Sequence, residues 1–103
     1  MQFTFTGTGT PTTPSQGVPA PTTEGTNRDW HLFVSGTFGA AGAVQLEYSP
    51  DPTTVADASS RWFSPAALSV NAAKDVYFTA RPRKLRAVLT GGDSTTALIA
   101  EVV

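Results

Sequence analysis

From residue 29 onward, the apolar residues of this chain come in short runs closed by turn residues. Nowhere do they recur at helical spacing over three turns with caps. Trp30-His31-Leu32-Phe33-Val34-Ser35 is the first run, and residues 36–42 are small and turn-like. Val44, Leu46 and Tyr48 then alternate with Gln45 and Glu47, which places the two sets on opposite faces of a strand. Ser49-Pro50-Asp51-Pro52 closes it, because proline cannot donate to a sheet ladder. Residues 53–60 have room for one helical turn. Residues 61–63, 67–70, 75–80, 85–90 and 96–103 read as further strands, with turns at 71–74 and 91–94 and an interruption at Pro82. Seven or eight short antiparallel strands predict an all-β fold, a β-sandwich or jelly roll. The expected core is Val44, Leu46, Tyr48, Val76, Phe78, Leu85, Val88, Leu98 and Ile99. A one-residue slip would put Leu89 inward for Val88, or Ile99 for Leu98.

The front of the chain has a different composition. Residues 9–27 hold Pro11, Pro14, Pro19 and Pro21, half of the chain's eight prolines, with threonine, serine and glycine between them. Such a stretch cannot bury enough surface to fold alone and favours extended polyproline geometry. Before it, Gln2-Phe3-Thr4-Phe5-Thr6 alternates at period two, as a half-buried strand does. The expected division is an extended arm over 1–27, with a short strand at its tip, and a β-sandwich over 28–103. Phe3 and Phe5, outside that body, are expected to dock on a neighbouring subunit or another protein.

At 103 residues the chain makes one domain with a thin core. It has no cysteine and a single histidine, His31, so disulfides and thiolate or multi-histidine metal sites are ruled out. Association with other chains is the remaining way to support such a core. A net charge of −1 gives no global attraction to nucleic acid or to anionic membranes. No apolar run could span a bilayer as a helix, and the first residues lack the pattern of a secretory signal.

The residues that could carry chemistry do not form a catalytic pattern. Asp29, His31 and Ser35 are neighbours on one strand, and a triad needs geometry that one strand cannot supply. Asp51 and Asp57 match no calcium-loop spacing and suit turn positions. The chain is therefore expected to be no enzyme and to need no cofactor. Arg81, Arg83, Lys84 and Arg86 form its one basic cluster. They read either as a patch for phosphate or for an acidic protein surface, or as charge that, with Pro82, protects an edge strand. Trp30, Trp62, Phe63, Tyr48 and Tyr77 read as core or subunit interface, or as a platform for sugars.

Residues 36–51, from Gly-Thr-Phe-Gly to Tyr-Ser-Pro-Asp, resemble a phrase found in small phage virion proteins: a Gly-rich turn, an alternating strand, Ser-Pro-Asp, then a tryptophan, here Trp62. Residues 83–102 are similar to the closing hairpin of that group. The resemblance covers roughly residues 33–103. That group contains head decoration (cement) proteins, head fibres and tail accessories, so the resemblance implies a virion structural role without fixing the location. The leading expectation is a capsid decoration protein on the capsid surface of the virion, assembled in the host cytoplasm. Its expected partners are the major capsid protein and its own copies, as a trimer, with no nucleic acid and no membrane. The expected interface residues are Phe3, Phe5, Arg81, Arg83, Lys84 and Arg86. The alternatives are a tail or fibre adaptor and a carbohydrate-binding module.

Overall fold

A computed structural model describes residues 1–18 and 28–103. Its described residues form eight strands: β1 (Gln2–Thr6), β2 (Gln16–Gly17), β3 (Arg28–Thr37), β4 (Ala43–Ser49), β5 (Ser69–Val70), β6 (Lys74–Ala80), β7 (Lys84–Thr90) and β8 (Ala97–Val102). Two single 3-10 turns, Asp57–Ser59 and Ala66–Leu68, are the only helical elements among them. The first answers the helical turn expected within 53–60. Of the strand expected over 61–63, only one bridge, Tyr48 to Phe63, forms.

The strands make two four-stranded sheets, ordered β1-β8-β3-β6 and β2-β7-β4-β5, with every pairing antiparallel. The pairs β1·β8, β2·β7, β3·β6 and β4·β5 are those of one long ribbon folded back at its middle. Rolling that ribbon sets β8 beside β3 and β7 beside β4. The result is a jelly roll of two packed antiparallel sheets.

The inner faces follow from alternation. Leu32 and Val34 on β3, Val44 and Leu46 on β4, Leu85 and Leu89 on β7, and Leu98 and Val102 on β8 are all buried. The two open registers settle on Leu89 over Val88 and on Leu98 over Ile99, which stands outside at 43% exposure. Tyr48, Val76 and Phe78 line the core's margin, partly buried. Large and small side chains alternate across β1, β8 and β3: Ala100 lies opposite both Phe3 and Val34, leaving room for the phenyl ring. Gly36 closes β3 at a φ of 116°, where a Cβ would strike the Ala97 carbonyl oxygen.

The free N-terminal arm is not what forms. Residues 2–6 do make the expected strand, but its partner is β8 of the same chain, in register from Gln2↔Glu101 to Thr6↔Ala97. Phe3 and Phe5 are 3% and 4% exposed, inside the chain's own core. Residues 9–18 cross to the other sheet and run along β7. The Leu89 and Ala87 amides donate to the Pro11 carbonyl and the Thr13 hydroxyl, and the Thr13 and Val18 amides donate to the Ala87 and Arg83 carbonyls. The physical reason is the edge problem: without this segment β7 and β8 would each leave a row of backbone groups unpaired. The boundary expected at 27, and the arm's reach over 19–27, lie outside the described residues.

Candidate functional site: the uncovered sheet face

The two sheets differ in what lies on their outer faces. Over β4 and β7 the connection 50–65 folds back as a cover. Lys84 points outward from β7 yet is fully buried beneath it, donating to the Val55 carbonyl at 2.7 Å and pairing with Asp57 at 3.2 Å. Arg86 pairs with Glu47 on the neighbouring strand at 2.7 Å, and its guanidinium lies 3.9 Å from the centre of the Trp62 ring. The Trp62 indole N–H donates to the Asp57 carbonyl, and Gln45 donates to that of Pro65. Asp57 also accepts from the amide and hydroxyl of Ser15, which fastens the N-terminal segment to this cover. That Ser15 contact is the main reason its pKa is lowered, with Lys84 adding to it.

The basic cluster is thereby divided. Lys84 and Arg86 lie inside a covered network and do not present a patch. The edge-strand reading fails too, because β7 lies between β2 and β4. Only Arg81 and Arg83, on either side of buried Pro82 in the β6–β7 turn, remain exposed. Neither makes an ion pair with the described residues.

The outer face of the β1-β8-β3-β6 sheet has no such cover among the described residues. Its centre is Phe33, 41% exposed, with Ile99 at 43% and Tyr77 at 59%. The His31 ring stacks on Phe33 at 5.8 Å and meets Tyr77 at 5.5 Å. Cross-strand register places Asp75 on one side of Phe33 and Glu101 on the other. His31 Nδ1 lies 2.9 Å from Asp75, and the Tyr77 hydroxyl donates to Asp29. That hydrogen bond to a carboxylate is the main cause of the raised Tyr77 pKa. The face is thus an aromatic stripe rimmed by Asp29, Asp75 and Glu101.

The remaining sequence candidates occupy structural positions. Asp51 receives the Arg61 amide and guanidinium, and the latter draws its pKa down to about 2. Trp30 is core, stacked on Phe78, and Tyr48 stacks on exposed Phe63 at the far end of the other sheet. Among the described residues no group of three or more His, Cys, Asp or Glu is placed to hold a metal ion, and no helix is long and apolar enough to cross a membrane. Of this stripe, Tyr77 is among the aromatics read as core, subunit interface or sugar platform; His31, Phe33 and Ile99 are absent from the expected interface residues. One signal in the sequence pointed to it: Phe33 and Ile99 put apolar side chains on the face opposite Leu32, Val34 and Leu98, which leaves those strands apolar on both sides.

No family model, curated protein or solved structure matches this chain.

Proposed function

We propose that this chain is a structural protein of a phage virion: a capsid decoration protein that binds the major capsid protein, stabilises the shell and acts as a trimer. Its place would be the capsid surface, after assembly in the host cytoplasm. The observation that carries the reading is an aromatic face that no described residue covers, on a jelly roll whose opposite face is closed. Exposed apolar side chains grouped within a polar rim mark interaction sites for proteins, membranes or ligands, and a rim of three carboxylates disfavours an anionic membrane. Three carboxylates elsewhere are engaged in holding the chain together: Asp51 with Arg61, Asp57 with Ser15 and Lys84, Glu47 with Arg86. That supports binding over catalysis. The resemblance of residues 36–51 and 83–102 to small virion proteins supplies the setting.

A carbohydrate-binding module is less well supported. A sugar platform needs open, coplanar ring faces, whereas the His31 and Phe33 rings stack on one another and Tyr77 is tilted by 59° from His31.

Co-sedimentation of the purified chain with heads that lack it tests the reading. Saturable binding to the shell, with greater resistance of the heads to heat, is the expected result. Failure to bind heads, or density only at the tail in electron micrographs, would overturn it.

A further inference from the structure

Phe33 lies directly between Asp75 on β6 and Glu101 on β8, all on one exposed sheet face. His31 already stacks on Phe33 and lies 2.9 Å from Asp75 Oδ1, but Phe33 stays 41% exposed and the Asp75 side chain 52%. An aromatic ring flanked by two carboxylates suits a guanidinium, which can stack on the open part of the ring and pair at its edges. Pairing this face with the same face of another copy would bring six carboxylates, Asp29, Asp75 and Glu101 from each, onto one interface, which is repulsive. The complementary group is present elsewhere in the same chain. Arg81 and Arg83 stand exposed at the β6–β7 turn and make no ion pair with the described residues, whereas Arg61, Lys84 and Arg86 each have a carboxylate partner.

We infer that the Arg81–Arg83 turn of one copy docks on the Phe33 face of the next, between Asp75 and Glu101. Such a contact is head-to-tail, joining two different surfaces, so it builds a closed ring where the rotation allows. The inference deepens the decoration reading: each copy would touch the shell weakly, and the ring would multiply those contacts.

The test is the oligomeric state of the full chain by light scattering and sedimentation. The unaltered chain should associate, and less so as salt screens the charges. Arg81→Glu with Arg83→Glu should weaken association by about tenfold or more, and so should Asp75→Lys with Glu101→Lys, through like-charge contacts. All four positions are at the surface, and circular dichroism would confirm that each variant is folded. The chain carrying all four reversals should associate again, because its two surfaces are complementary once more. A chain that stays monomeric at every concentration, a two-fold dimer unaffected by these changes, or no recovery in the fourfold variant would each overturn the inference. Head binding is scored separately. A chain that associates but ignores heads would sink the decoration reading and leave this one standing; a chain that decorates heads only as single copies would do the reverse.

Discussion

Replacing Phe3 or Phe5 by Ala should destabilise the fold by about 3–5 kcal/mol, the usual cost of emptying a buried phenyl site. Denaturant unfolding measures it, and a loss under 1 kcal/mol would mean that these rings sit outside the core. Lys84→Met keeps most of the side-chain volume but removes the donors to Val55 and Asp57 beneath the 50–65 cover. A loss of about 1–3 kcal/mol is expected from leaving those acceptors unmatched. Asp51 and Asp93 join Asp57 in holding their carboxyls below the ordinary range, so all three contribute to acid sensitivity. Asp93 accepts from the Thr95 hydroxyl and from the Thr95 and Ala40 amides, tying the β7–β8 loop to the β3–β4 loop. Thr95 foremost, then Ala40, lowers its pKa to about 2, where Arg61 also holds Asp51. A folded-state pKa below the ordinary 3.8 adds stability that is complete above that value and is lost as the pH falls toward 2. Melting temperature followed through that window should drop, and Asp93→Asn should shrink the drop. A profile identical in the variant would show that Asp93 contributes nothing.

At the scale of elements, the N-terminal segment supplies both sheets with an edge strand. Deleting residues 1–18 should expose the edges of β7 and β8 together with the cavity left by Phe3 and Phe5. The expected product is unfolded or aggregated, as judged by circular dichroism and size exclusion. A soluble truncated chain with an unchanged melting temperature would contradict the architecture. The alternation of Gln2–Thr6 was legible as a strand, and that of Val44, Leu46 and Tyr48 as a core face, because period two is written in neighbouring residues. The partner of Gln2–Thr6 was not legible, since its complement is β8 at the other end of the chain, and alternation names a face without naming a neighbour. The same limit hid the division of the basic cluster. Nothing local to Lys84 says that residues 50–65 will fold over it, and a buried lysine looks the same in sequence as an exposed one.

At the scale of the molecule the two sheets are asymmetric: one outer face is covered by residues 50–65, and the other is covered by none of the described residues. The candidate face was only partly legible, because Phe33 and Ile99 were visible as apolar residues while their convergence with His31 and Tyr77 depends on the order β8-β3-β6. The most direct measurement is hydroxyl-radical footprinting of the chain, first dilute and alone, then assembled and bound to heads. Aromatic side chains report their own exposure, and Phe63, 49% exposed on the other sheet, serves as an internal reference. Oxidation of Phe33 and Tyr77 should fall several-fold on assembly while that of Phe63 stays constant. Protection of Phe63 with Phe33 and Tyr77 unchanged would contradict it.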